Sequence, residues 1–222
     1  MRRTPLLLLG ALGCAAPLQQ LPPPAPGVGP EEAPALAEKS RAATRKAQHE
    51  ASADARRALA QQALEAAQRC QQAAPTSAVC AYALALALGV QARERPSTAT
   101  QGLPLMVEQL RLANQQDARL DKAGPSRVLA LVLSRAPSWP LGPGDPEGGL
   151  QAARQAVALF PDYAPNQLAL SEALLLSGDE AGSRLAATRA LALVQAAAAA
   201  GEADAADWEH DAQALLAGRA PR

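Results

Sequence analysis

The chain has 222 residues, a formal net charge of zero and only 2% aromatic residues. That length makes one domain with a sizeable core the default. Lys plus Arg (21) balances Asp plus Glu (21), which leaves no basic field for nucleic acid, and one Phe, two Trp and two Tyr cannot furnish a well-packed β-sandwich. Alanine fills about a quarter of the chain, far above ordinary usage. It has the best helix propensity, and its small side chain lets helices approach closely. The fold class is therefore all-α.

Residues 1–13 read as an export signal. Arg2 and Arg3 form a basic start, and Leu6, Leu7, Leu8 and Leu9 a short apolar run, too short to span a bilayer. Ala11-Leu12-Gly13-Cys14 resembles a bacterial lipobox, with a small residue before a cysteine that becomes lipidated. It departs from that pattern at Ala11 and Leu12. An ordinary signal peptide cut at another small residue is the alternative. A Cys14 carrying several acyl chains would anchor stably, because one chain alone is marginal. Residues 14–34 then form a tether. Pro17, Pro22, Pro23, Pro24, Pro26, Pro30 and Pro34 favour an extended spacer of about 3 Å per residue.

Residues 35–222 form the folded domain. Leu59, Ala63, Ala66, Ala67 and Cys70 make a helical stripe that ends at Pro75, with a separate or frayed helix before Ser52. Thr76 or Ser77 caps the next helix, which ends before Pro96. A third helix starts near Gly102 with Pro104 in its first turn and runs to about Arg119. Gly124-Pro125 opens another, which stops before Pro137. A loop dense in Pro and Gly follows. Two hairpin pairs close the chain, at about 147–160 with 165–176 and at about 179–199 with 203–216, the second pair divided at Gly201. Ala156 and Ala190 lie one tetratricopeptide period apart, roughly 34 residues. Units of this kind cannot bury their apolar faces alone, so they stack. The expected architecture is helical hairpins of degenerate tetratricopeptide-like repeats, about four of them by that period, stacked as an α-solenoid.

One stretch is more specific. Gly124, Pro125 and Arg127 open a helix, and Ala136, Pro137, Trp139, Pro140, Gly144 and Asp145 mark the loop after it. Pro161, Asp162, Tyr163 and Asn166 form a junction, followed by Leu170, Glu172 and Leu174. This pattern resembles the T component of tripartite ATP-independent periplasmic (TRAP) transporters. It is specific over about a quarter of the chain and looser over the rest. The resemblance implies a periplasmic lipoprotein of tetratricopeptide-like helices that associates with the transporter's solute-binding receptor and self-associates as trimers. The outer membrane is the expected site of its anchor. Gln167 departs from the family, many of whose members carry His or another polar group there.

Candidate partner- or ligand-binding residues are Arg127, Trp139, Tyr163 and Asn166. Arg127, in the first turn of its helix, could hook a substrate carboxylate or form a structural ion pair with Asp121 or Asp145. Trp139 between two prolines could anchor a partner or plug the end of the helix stack. Tyr163 and Asn166 sit at a helix junction, where capping is the ordinary role of an asparagine. Cys70 and Cys80 are an even pair in an exported chain. They form either a disulfide or two buried thiols.

No catalytic residue, metal site or cofactor is expected. His49 and His210 stand apart, and neither a Gly-x-Ser-x-Gly nor a phosphate-loop motif is present. The expected function is that of a non-catalytic adaptor which docks the receptor and takes an apolar or anionic solute. A repeat lipoprotein of envelope or outer-membrane assembly is the near alternative. A hydrolytic or transferase enzyme without a recognisable motif is the alternative from another class.

Overall fold

The computed structural model describes residues 29–221. The signal segment, Cys14 and the tether as far as residue 28 lie outside the described residues. Among the described residues there are nine α-helices and no strand. They are α1 (Ala33–His49), α2 (Ala53–Ala73), α3 (Ala78–Glu94), α4 (Ala99–Gln116), α5 (Gly124–Arg135), α6 (Pro146–Leu159), α7 (Ala164–Leu176), α8 (Glu180–Ala199) and α9 (Ala205–Leu216). No described helix is long and apolar enough to cross a membrane.

Local chemistry sets most helix ends. Ser52, Ser77, Asp145 and Asp179 each accept a backbone N–H from the first turn of the helix they precede. That bond satisfies one of the donors a helix start leaves free. Gly178 and Gly201 follow α7 and α8 at φ 87° and 80°, the left-handed turn that glycine adopts without a Cβ clash.

Three boundaries differ from the sequence expectation. Helix α1 begins at Ala33, so Pro34 belongs to the helix and not to the tether. Proline is tolerated there because its missing N–H falls in the first turn. Helix α4 begins at Ala99, which puts Pro104 inside it rather than in its first turn. A short 3₁₀ turn, Pro96–Thr98, starts the helix early, and the Thr98 hydroxyl donates to the Arg95 carbonyl at 2.8 Å. The carbonyl that Pro104 cannot serve belongs to exposed Thr100, where water can satisfy it. Helix α4 also stops at Gln116, short of Arg119.

Consecutive helices pack as hairpins, α1 with α2, α3 with α4, α5 with α6, and α7 with α8; α9 closes the end against α8 and α7. The last pairs are thus shifted by one helix from the pairing expected for residues 147–216. The odd-numbered helices make one layer in that all five contribute to a common hollow, packed in two groups, α1 on α3 and α7 on α5 and α9. This consecutive pairing is compatible with a helical solenoid. Ala156 and Ala190, one period apart, are both fully buried, in α6 and α8.

The core is built largely of alanine, joined by Leu110, Leu133, Val194 and Leu215 as its largest fully buried apolar side chains. One cluster runs from α1 to α7 and smaller ones lie between α7, α8 and α9. Cys70 and Cys80 are joined as a disulfide across the α2–α3 corner, with Cα atoms 5.3 Å apart.

Candidate functional site

The chain between α4 and α5 takes an unusual path. Asp121, Lys122 and Ala123 all have positive φ, at 49°, 52° and 65°. L-residues pay roughly 1–2 kcal/mol each for that conformation. Such strain persists only where the surroundings over-determine it.

Arg127 and Asn166 supply that determination. One guanidinium nitrogen of Arg127 donates to the carbonyls of Asp121 and Lys122, both at 3.3 Å, and to the Asn166 side-chain oxygen at 3.1 Å. Its other terminal nitrogen pairs with the Asp121 carboxylate at 3.0 Å. The Asn166 amide donates to the carbonyls of Lys122 and Ala156 at 3.1 Å and of Phe160 at 3.2 Å. From the opposite side the Tyr82 hydroxyl donates to the Asp121 carboxylate at 2.8 Å. Gly124 is needed here because a Cβ would collide with the Tyr82 hydroxyl and with the Asp121 carboxylate. Burial pushes the Tyr82 phenol well above its ordinary value, only partly offset by Arg127, so it stays a donor.

Tyr163 caps α7 and stands beside this turn. Lys122 Nζ lies 4.4 Å from its ring centre and the Arg127 guanidinium 5.2 Å, while Trp208 of α9 meets it edge-on at 5.8 Å. Burial likewise raises the Tyr163 phenol, against the pull of Arg127.

Tyr82, Asp121, Arg127, Tyr163 and Trp208 line one hollow of about 350 Å³ on the odd-helix layer. Its other wall is α1. Arg41, Thr44, Arg45 and Gln48 face it at i, i+3, i+4 and i+7, one side of a helix. Thr44 is 4% exposed and its hydroxyl has no hydrogen-bond partner. The Arg41 Nε–H is buried and equally unpartnered, although a terminal nitrogen of the same guanidinium pairs with Glu38 at 2.6 Å.

The four residues singled out in the sequence do not form one site. Tyr163 and Arg127 line the hollow; Asn166 lies behind it, fully buried. The Arg127 contacts are those of a structural brace, with Asp121 as the ion-pair partner. Asp145 serves instead as the N-cap of α6, accepting from the Gly148 N–H at 2.9 Å. Gln167 donates to the Pro161 carbonyl at 2.9 Å and is 7% exposed, which makes it part of the junction.

Trp139 sits beyond the far end of α5, roughly 18 Å along the helix from the turn at Gly124 by the helical rise of its residues. It is 85% exposed, so it does not plug the helix stack, and Leu141 beside it is 76% exposed. The loop that carries them is braced. Asp145 N–H donates to the Leu133 carbonyl and Gly144 N–H to the Pro137 carbonyl, each at 2.9 Å.

Neither a scan against protein-family models nor a search of the curated proteins finds a match to this chain.

The remaining residues of the family-like pattern also hold the scaffold. Glu172, 3% exposed at its side chain, takes two hydrogen bonds from Arg135, the Nη2 one at 2.6 Å. Asp162 pairs with Arg189 at 2.6 Å. His49 ends α1 and His210 lies in α9, and among the described residues no group of three or more His, Cys, Asp or Glu converges on a point. Arg41 and Thr44 escaped the sequence reading. Their signal was the polar stripe Arg41, Thr44, Arg45 and Gln48 in an alanine-rich helix.

Proposed function

We propose that this protein is a non-catalytic periplasmic adaptor of a TRAP-type transporter. In this reading it is a tetratricopeptide-like α-solenoid, tethered to the membrane through a lipidated Cys14, that docks the transporter's solute-binding receptor. The observation that carries the reading is the α5–α6 loop. It holds Trp139 and Leu141 out in water at 85% and 76% exposure while backbone bonds brace it at both ends. A lone exposed residue such as Leu185, at 75%, needs no explanation, but Trp139 and Leu141 put two large apolar side chains together on one braced loop, a ready anchor for a partner. Tryptophan is moreover enriched among the few residues that dominate interface energies. Pre-ordering of the loop lowers the entropy cost of docking.

Two further features support an adaptor. Arg127, Asn166, Glu172 and Asp162 are committed to holding helix junctions together rather than to a reaction centre. The layer of odd-numbered helices carries a hollow of about 350 Å³, and stacked hairpins commonly bind their partners on such a face. Trimeric self-association and the membrane anchor belong to the same reading through the family-like residues and Cys14.

The test is co-purification from the native envelope. The parent chain should recover a TRAP solute-binding receptor, and Trp139→Ala should weaken that recovery by about 2 kcal/mol, the loss of a genuine hot spot. Its stability should stay within about 0.5 kcal/mol of the parent, because the side chain is exposed. Recovery of envelope-assembly proteins in place of the receptor, or full receptor binding by Trp139→Ala, overturns the proposal.

A further inference from the structure

We propose that the hollow on the odd-helix layer binds a small organic oxyanion, its charged head on Arg41 and Thr44 of α1 and its apolar body against Trp208. This rests on the reading of that layer as a recognition face, and it does not depend on which partner the α5–α6 loop engages.

A threonine inside a helix usually returns its hydroxyl to the carbonyl one turn back, as Thr188 does to Arg184 at 2.8 Å. Thr44 does not; its hydroxyl is buried and without a partner, at 4% exposure for the residue. One turn earlier on the same face, the Arg41 Nε–H is also buried and without a partner. A buried donor left unmade is costly, and native proteins keep few of them. The described residues hold seven such buried, unpartnered side-chain atoms, and Arg41 Nε and Thr44 Oγ1 are the two that belong to residues lining the hollow; beside the terminal nitrogens of Arg41 and Arg45 they suit a group with at least two acceptor oxygens that draws the two side chains toward it. Carboxylate and phosphate share that chemistry.

The charges around the hollow favour the α1 wall for the head. Arg41 and Arg45 both lie there, held in place by Glu38 at 2.6 Å and 2.9 Å. The acidic lining residues, Asp121 and Asp204, belong to the opposite side. Asp121 is already matched by Arg127 at 3.0 Å and by the Tyr82 hydroxyl at 2.8 Å. Arg127, for its part, has both terminal nitrogens engaged with the strained turn and is not available as the anion hook.

The size and the remaining walls describe the rest of the ligand. A volume of about 350 Å³ lies at the small end of ligand sites. Lys122 and Arg127 already sit over the Tyr163 ring, so Trp208, set edge to face with it at 5.8 Å, supplies the flat apolar surface across from Arg41 and Arg45. The ligand is thus metabolite-sized, anionic at one end and apolar at the other.

Trp208 lines the hollow and Trp139 does not, so the full chain carrying Trp139→Phe reports the site through one fluorophore. Four probes are titrated: phenylacetate, phenyl phosphate, the neutral phenylacetamide, and inorganic phosphate. We expect phenylacetate or phenyl phosphate to bind with a Kd below about 1 mM and the amide about tenfold more weakly or not at all. The better of the two anions identifies the head group, and weak binding of inorganic phosphate confirms the need for an apolar body. Thr44→Val should weaken the anion about tenfold and yet raise Tm, because it removes an unsatisfied hydroxyl without changing shape. Arg41→Gln should weaken it by at least as much.

Equal binding of amide and acid, no binding by either aromatic anion, or full affinity in Thr44→Val overturns the site. A chain that binds the anion but recovers no receptor refutes the adaptor reading alone. A chain that recovers the receptor but ignores every probe refutes this site alone.

Discussion

Replacing Asn166 by alanine should be among the most damaging single changes in the chain. The side chain is fully buried and makes four hydrogen bonds, three donated to carbonyls at 3.1–3.2 Å and one accepted from Arg127 at 3.1 Å. The amide has two hydrogens to share among the three carbonyls, so about three bonds at a net value of about 1 kcal/mol each would give about 3 kcal/mol. All three carbonyls keep a second partner, since Lys122 also accepts from Arg127 at 3.3 Å, Ala156 from the Phe160 N–H at 3.0 Å and Phe160 from the Tyr163 N–H at 3.4 Å. That lowers the sum, and the void left behind offsets the reduction, so we expect roughly 3 kcal/mol. Asn166→Asp has the same shape but turns an oxygen toward three carbonyl oxygens. Even with an added attraction to Arg127 it should be worse than alanine at neutral pH. Urea unfolding with the disulfide intact measures both, and the midpoint should fall with little change in m. A cost below about 1 kcal/mol for alanine, or better tolerance of aspartate than of alanine, would refute the claim that Asn166 locks the left-handed turn.

Two further outcomes follow from the described contacts. Cys70 and Cys80 close a loop with a sequence separation of 10, so reduction, or Cys70→Ala with Cys80→Ala, should cost about 2.7 kcal/mol by chain entropy; thermal unfolding with and without dithiothreitol checks it, and an unchanged Tm excludes it. Burial lifts the Asp211 carboxyl above its ordinary value, with His210 and Arg135 offsetting only part of the rise. The folded state therefore holds that proton to higher pH than the unfolded chain, and stability falls as pH rises through the window between the two values. Asp211→Asn should stabilise the protein at neutral pH, with the gain vanishing in acid below the unfolded carboxylate range; a gain that is independent of pH would contradict this.

Helix existence was largely legible because it rests on local chemistry. The stop at Pro75, the cap at Ser77 and the break at Gly201 all use side chains or φ preferences close by in sequence. The path of Asp121, Lys122 and Ala123 was not legible. No residue there favours positive φ strongly, and the turn is imposed from outside by Arg127, Asn166 and Tyr82, up to 44 residues away in the case of Asn166 and Lys122. For the same reason Arg127 and Trp139 looked like neighbours in a short segment, whereas α5 holds them at opposite ends. The shift in hairpin pairing has a similar origin, since each helix in the last part of the chain has two sequence neighbours and only tertiary packing selects between them. Arg41 and Thr44 were hidden for a different reason. A polar stripe on a helix normally means a solvated face, and nothing in α1 itself reveals that α3, α5, α7 and α9 contribute to the opposite wall.

The alanine interfaces between the helices have a mechanical consequence. An alanine side chain has no rotamers to exchange, so it surrenders no side-chain entropy on burial and cannot adjust its shape afterwards. A leucine-filled core yields to a load by repacking, one side chain at a time. Here the buried alanines Ala63, Ala67, Ala81, Ala85, Ala153 and Ala187 cannot repack, so that freedom is left to the fewer buried leucines such as Leu110 and Leu133. The hollow between α1 and α9 consequently sits in a frame of closely spaced backbones, and its width is adjusted by the long side chains that line it, Arg41, Arg45 and Gln48 among them.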